Sequence, residues 1–114
     1  MPYEHQEYLY NICVDMNLDY CAIMAVIAKE SSYDYTVIGG GKYYGYMQMD
    51  MDCVNMVRGY YNDNTLDPMN PYDNLLIGCT ILKDQIDATG SLYDGLIAYS
   101  HGYYAWEAGN YSTK

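Results

Sequence analysis

Residues 22–32 read Ala22-Ile23-Met24-Ala25-Val26-Ile27-Ala28-Lys29-Glu30-Ser31-Ser32, seven uncharged residues followed abruptly by a charged pair. A helix on the surface of a globular domain interrupts its apolar residues with polar ones every two or three positions. This run does not, and so it predicts a central, buried helix. Glu30 then arrives at the rim of the core, where loss of hydration disfavours the ionised carboxyl and raises its pKa. A carboxyl that keeps its proton has one to donate. The run by itself fits equally a core helix of which Glu30 is merely the first solvated residue, so the rest of the chain has to separate the two.

The flanking patterns surround that helix with others. From Glu4 to Met16, Tyr8, Leu9, Ile12, Cys13 and Met16 form one stripe at helical spacing, as on an amphipathic helix packed on a core. Asn17-Leu18-Asp19 breaks the pattern, and Asp19 is suited to cap the buried helix, expected over Tyr20 to Ser31. Between Tyr33 and Tyr44, β-branched Thr36, Val37 and Ile38 precede Gly39-Gly40-Gly41, a stretch too glycine-rich for a helix and suited to a loop or short hairpin. Met47, Met51, Val54 and Val57 recur at three- and four-residue steps on a third helix over Met47 to Tyr61. Turn residues fill Gly59 to Pro71, with Asp67-Pro68 and Asn70-Pro71 among them. A fourth helix carries Leu75, Leu76, Cys79, Leu82 and Ile86 on one stripe and stops at Gly90, a suitable C-cap. A fifth starts at Ser91, with Asp94 as an approximate capping box, and turns Leu92, Leu96 and Tyr99 inward. Trp106 and a polar tail follow.

Composition removes several classes of function. A chain of 114 residues suits one domain with a single modest core, so residues 1–114 are read as one domain. Fifteen Asp and Glu against five Lys and Arg leave a formal charge of −10, which repels nucleic-acid phosphates and anionic membranes. Nucleic acid is therefore not an expected partner, and no run approaches the roughly eighteen apolar residues of a membrane span. Met1 to Glu7 lack the basic and apolar segments of a secretory signal. The expectation is a piece of something larger, or delivery by another protein.

Cys13, Cys21, Cys53 and Cys79 form no CxxC pair, and no histidine stands near one at zinc spacing, so neither a metal nor a cofactor is expected. Small buried thiols are the simplest reading, with one or two disulfides as the alternative. Gly39-Gly40-Gly41-Lys42 fails as a phosphate loop because Thr36 and Tyr43 stand where Gly and Ser or Thr are needed. Asp50 and Asp52 fail as a calcium loop because Val54 follows where an oxygen ligand belongs. Seventeen tyrosines beside one tryptophan and no phenylalanine supply apolar faces with hydrogen-bonding edges, a chemistry suited to a wet groove for sugars.

Four motifs in fixed order point further. Glu30-Ser31, then Gly45-Tyr46-Met47-Gln48, then Asn74-Leu75-Leu76-Ile77-Gly78 beyond Asp67-Pro68, then Ala98-Tyr99-Ser100-His101-Gly102 resemble the motif series of the soluble lytic transglycosylase family. That series runs Glu-Ser, Gly-Leu-Met-Gln, Asn-Ile-x-x-Gly and Ala-Tyr-Asn-x-Gly. The resemblance covers residues 17–109. It implies a mainly α, lysozyme-like fold of the goose-type lysozyme and lytic transglycosylase kind, with a small loop or β-hairpin lobe, in agreement with the helices derived above. It also implies bacterial peptidoglycan as the partner, cut at the β-1,4 bond between N-acetylmuramic acid and N-acetylglucosamine with formation of a 1,6-anhydro sugar.

On this resemblance Glu30 is the single general acid and base. Its protonated carboxyl donates to the glycosidic oxygen as C1 becomes oxocarbenium-like, and the carboxylate then accepts the proton of the sugar's own C6 hydroxyl. Ordinary glycosidases flank the bond with two carboxylates. Between Ser32 and Gln48 this chain has only Asp34, a scarcity that fits one. The resemblance further implies that Gln48 lines the groove with Met47 packed beside it, that the Tyr99 hydroxyl approaches the glutamate, and that Ser31 and Ser100 belong to the substrate-binding set. Spacing alone leaves Tyr99 a core aromatic, Gln48 a surface amide and Ser31 a packing residue at the helix end. His101 is read as solvated rather than as a general base.

Ser100 replaces the usual Asn of the last motif, Gly39 replaces a frequent serine, and Asp50 replaces a common apolar residue. These departures bear on subsites and leave Glu30 in place. Two other functions stay open. One is a hydrolytic muramidase of the goose-type lysozyme kind, in which Asp34, Asp50 or Asp52 positions water. The other is a non-catalytic peptidoglycan-binding or phage-structural module. A domain at −10 is repelled by anionic wall polymers, so the expected setting is extracytoplasmic: a monomer brought to the wall by attached modules, a phage particle or a secretion assembly.

Overall fold

The computed structural model describes residues 1–112, and they are mainly helical. In chain order the elements are α1 (Tyr3–Met16), α2 (Tyr20–Ser31), β1 (Ile38–Gly39), β2 (Tyr43–Tyr44), α3 (Met51–Tyr61), α4 (Pro71–Thr89), α5 (Leu92–His101) and α6 (Tyr103–Glu107). The chain divides into two compact units, one from Met1 to Cys79 and one from Thr80 onward.

In the first unit each helix is delimited by its own side chains. Asn17 closes α1 in a left-handed conformation (φ 55°), which asparagine tolerates better than most residues. Asp19 accepts a hydrogen bond from the Ala22 N–H at 3.1 Å and caps α2 as expected. Asp50 accepts one from the Cys53 N–H at 2.9 Å and caps α3, which therefore begins at Met51 rather than Met47. The hydrophobic spacing runs on through Met47, but Gln48 has φ 54° and no right-handed helix passes through it. The glycine-rich stretch is an antiparallel hairpin pairing Ile38 with Tyr44 and Gly39 with Tyr43. Gly40 and Gly41 make its turn at φ 59° and 73°, where a side chain would be strained. Arg58 donates from Nε and Nη2 to the Leu66 carbonyl at 2.9 and 2.7 Å and gathers the turn that follows α3. The Asn70 side chain accepts from the N–H groups of Tyr72 and Asp73, so α4 starts at Pro71, where the missing N–H of proline has no helical partner to lose.

Burial departs from expectation at α2. Ile23, Ile27 and Ser31 are buried on one stripe, whereas Cys21, Ala25 and Lys29 are exposed. Alanine is both weakly hydrophobic and the best helix former, so its frequency here reflects helix formation as much as burial. The deeply buried helix is α4, in which every residue from Asn74 to Leu82 except Leu76 is buried. Around it the first unit buries Leu9, Ile12, Val54, Val57 and Leu66. Cys13 and Cys79 are buried thiols, Cys53 is half-buried and Cys21 is exposed. The buried-thiol reading thus fails for Cys21, which lies on the outer side of α2. A hydrogen bond with Cys13, together with burial, pushes the Cys79 thiol well above its ordinary range.

The second unit holds the end of α4, α5 and α6. Ser91 caps α5 as expected, its Oγ accepting from the Asp94 N–H at 3.0 Å; the capping box is approximate, because the bond to Asp94 Oδ2, at 3.1 Å, comes from the Ser91 hydroxyl. Asp94 Oδ1 also accepts from the Trp106 indole N–H at 3.1 Å. The buried face of α5 is Gly95, Ile97 and Ala98, while Leu92, Leu96 and Tyr99 are half-buried. Gly95 is the cause, because a Cβ there would stand 2.8 Å from the Cα of Ile86. The two backbones meet at the glycine, and that contact turns the helix. Gly102, at φ 94°, separates α5 from α6, a short helix that the sequence pattern does not announce. Thr113 and Lys114 of the polar tail lie outside the described residues. No described helix is long and apolar enough to cross a membrane.

The cap supports a direct check. Ser91→Ala should lower the unfolding free energy by about 1 kcal/mol in urea denaturation, and Ser91→Thr, which keeps both the acceptor and the hydroxyl donor, should recover most of the loss.

Candidate active site

Glu30 occupies the last turn of α2 and is half-buried. Burial raises its carboxyl pKa, and the neighbouring Lys29 charge offsets this only in part. The helix stops directly behind it. Ser32 is left-handed (φ 52°) and returns its N–H to the Ala28 carbonyl at 3.0 Å, and Tyr33 is left-handed as well (φ 64°). Two consecutive non-glycine residues in this region are strained. Ser31 is buried, with its hydroxyl donating to the Ile27 carbonyl at 3.1 Å.

The second cluster is built around Asn74, a wholly buried amide on α4. Its Oδ1 accepts from the Met47 N–H at 2.9 Å. Its Nδ2 donates to the carbonyls of Tyr44 at 2.7 Å and Pro68 at 2.9 Å. One side chain therefore ties the hairpin, the turn after it and the turn before α4. Glycines make the fit possible. A Cβ on Gly45 would lie 2.5 Å from Asn74 Nδ2, and one on Gly78 would run into the Met47 side chain, 2.7 Å from its Cβ. Gly45, Met47, Asn74 and Gly78 are thus the two halves of one joint, which explains why two motifs distant in sequence occur together. The sequence reading named Asn74 and Gly78 within a motif and gave them no role; the signal was a polar residue on the apolar stripe of a helix.

Gln48 follows in the same turn, half-buried. Its Nε2 donates to the Gly45 carbonyl at 2.9 Å and to that of Val37 at 3.3 Å. Its amide oxygen lies where a side chain on residue 39 would go. The glycine that replaces a frequent serine is thus what leaves room for this Gln48 conformation. Tyr46, between Gly45 and Met47, is wholly buried, and its hydroxyl lies 2.7 Å from His5 Nδ1. Burial, with the nearby Tyr35, Asp34 and Tyr72, pushes the phenol up to about 12, so it stays protonated.

Tyr99, half-buried, and Ser100, exposed, are on α5 in the second unit. His101 is exposed beside Tyr111, with ring centroids 6.1 Å apart. Among the acidic residues near the hairpin, Asp34 accepts from the Thr36 N–H and hydroxyl at 2.9 and 2.6 Å, which lowers its carboxyl pKa. Asp50 caps α3, and Asp52 is exposed on the first turn of that helix. Among the described residues, no three His, Cys, Asp or Glu side chains form a group able to hold a metal ion.

Comparison with known proteins gives one match. The sequence model of the family described as the transglycosylase SLT domain matches residues 13–113. No curated protein and no solved structure matches the chain.

Asn74→Leu removes the joint while keeping the volume. It orphans the Met47 N–H and the Pro68 carbonyl at about 1–3 kcal/mol each, while the Tyr44 carbonyl keeps the Met49 N–H, so urea denaturation should show a loss of at least about 2 kcal/mol. Asn74→Asp keeps the acceptor for Met47 but turns a carboxylate oxygen toward the two carbonyls, and should recover less than half of that loss.

Proposed function

The chain belongs to the transglycosylase SLT domain family, and from that membership we propose that it is a peptidoglycan lytic transglycosylase with Glu30 as its single general acid and base. Membership itself implies lytic transglycosylase-like action on a cell-wall substrate; the residue roles are our reading. The protonated Glu30 carboxyl gives its proton to the glycosidic oxygen as the C1–O bond to N-acetylglucosamine breaks. The C6 hydroxyl of the same N-acetylmuramic acid then attacks C1 and returns its proton to the Glu30 carboxylate. A 1,6-anhydro ring closes, no water is consumed, and the enzyme regains its starting state. Residues 1–114 act as one catalytic domain in this reading, with Gln48, Met47, Ser31, Tyr99 and Ser100 in its substrate-binding set.

The observation that carries the reading is the half-buried Glu30 carboxyl at the end of α2, whose pKa is raised by burial. A general acid must hold its proton at working pH, and desolvation moves the carboxyl in that direction. The charge of −10 supports carriage to the anionic wall by an attached module or a larger assembly.

Glu30→Gln tests the assignment. General acid–base catalysis contributes about 10²–10⁴-fold, so clearing of purified sacculi should fall by at least about 100-fold with the helical circular dichroism unchanged; undiminished clearing would refute the role.

Titration supplies a second expectation with a definite sign. Because the folded pKa is raised, the folded chain holds this proton more tightly than the unfolded chain. That stabilising contribution is complete below the unfolded pKa and is lost as pH rises through the folded one. Glu30→Gln should therefore be more stable than the wild type at neutral pH, with the difference vanishing below roughly pH 4. Wild-type clearing should decline over the interval in which the stability difference opens. Thermal melts and rates across pH check both.

A further inference from the structure

We propose that His5 is a positioning residue for the Tyr46–Gln48 turn, holding it through the Tyr46 hydroxyl in addition to its Asn74 tie. The proposal rests on the reading above in one respect, that this turn belongs to the substrate groove.

Both partners of the contact depart from the family. Tyr46 stands where the Gly-Leu-Met-Gln motif has leucine, and His5 lies before residue 13, where the family match begins. A leucine needs no polar partner, whereas a buried phenol left without one is destabilising. Tyr46 has no exposed surface and His5 is 9% exposed, and the two share a hydrogen bond of 2.7 Å across 41 residues of sequence. The imidazole tautomer sets which of the two groups donates. The rings of Tyr72 and Tyr35 meet the imidazole edge-on at 4.9 and 5.6 Å, and Tyr35 meets Tyr46 at 5.7 Å. His5 therefore sits at the centre of an aromatic cluster reaching from α1 to the hairpin lobe and the start of α4.

The consequence falls on the backbone. Gly45 adopts its left-handed conformation freely (φ 74°), but Gln48 (φ 54°) ends the turn in one that a non-glycine residue does not favour. Asn74 fixes the Met47 N–H from one side. His5 anchors the Tyr46 side chain, one residue before that bond. Release of the hydroxyl leaves the turn to its remaining ties, the Asn74 and Gln48 side-chain bonds and the Tyr44–Met49 bridge, and so raises the frequency of local opening at Met47 and Gln48.

A double-mutant cycle in the full chain tests this. His5→Phe and Tyr46→Phe keep the rings and remove one polar partner each, and the double variant removes both. Amide hydrogen exchange at Met47 and Gln48, measured against α5 amides as internal reference, reads the turn without needing activity. Each single variant should exchange about 10-fold faster there, and the double variant should return to within about threefold of wild type, because a matched apolar pair leaves no orphan. The singles should also raise KM for soluble glycan strands severalfold with kcat little changed, and the double should restore KM. Unchanged exchange at Met47 and Gln48 in the singles, or additive rather than compensating effects in the double, would overturn the proposal. So would faster exchange with KM unmoved, which would make the contact structural only. Should the wild type lack glycan-cleaving activity, the functional reading fails, and the exchange cycle still decides whether His5 holds the turn.

Discussion

The buried amide of Asn74 is the interaction on which the rest of the first unit depends. A polar side chain in the interior of an apolar helix is costly unless all its hydrogen-bonding groups are matched. Asn74 meets that demand by accepting from Met47 and donating to Tyr44 and Pro68, so the helix and the irregular segments around it are held by one residue. The segments concerned contain little regular structure, only a hairpin of two residues per strand. Such a lobe has no ladder of hydrogen bonds to define its shape, and its geometry is borrowed from α4. Gly45 and Gly78 are required for the same reason: each removes a side chain from a place where the joint has to close.

The proposed chemistry draws on a different tension. Glu30 is placed where water reaches it only in part, and that is enough to raise its pKa. The chain accepts strain next to it, at Ser32 and Tyr33, and again at Gln48. Among the described residues the other two non-glycine residues of positive φ, Asn17 and Asn62, are helix C-caps, where asparagine fits well. Ser32 is likewise the C-cap of α2, so the strain that capping does not account for falls at Tyr33 and Gln48.

Much of this architecture was legible from residues. Asp19 and Ser91 announced the starts of α2 and α5 because a cap is a local interaction, written within four residues of sequence. The hairpin was legible because Gly40 and Gly41 have no other good use. Where local signals competed, spacing misled. Met47 extended the pattern of α3 although it is buried by Gly78 rather than by a helical neighbour, and the alanines of α2 read as burial when they chiefly record helix formation. The inward face of α5 was misjudged because Gly95, which has no side chain to count, decides it. The aromatic cluster about His5 was invisible for a related reason: its members are scattered from residue 5 to residue 72, and only the fold brings them together. For the site, the motif order pointed to Glu30 and Gln48 but could not foresee that the Gln48 amide folds back on the Gly45 and Val37 carbonyls.

The claim that one carboxylate suffices is tested most directly by the mass of the product. Purified peptidoglycan digested by the intact chain should yield muropeptides one water lighter than hydrolysis gives, ending in 1,6-anhydro-N-acetylmuramic acid. Products of full mass, bearing reducing N-acetylmuramic acid ends, would contradict the account.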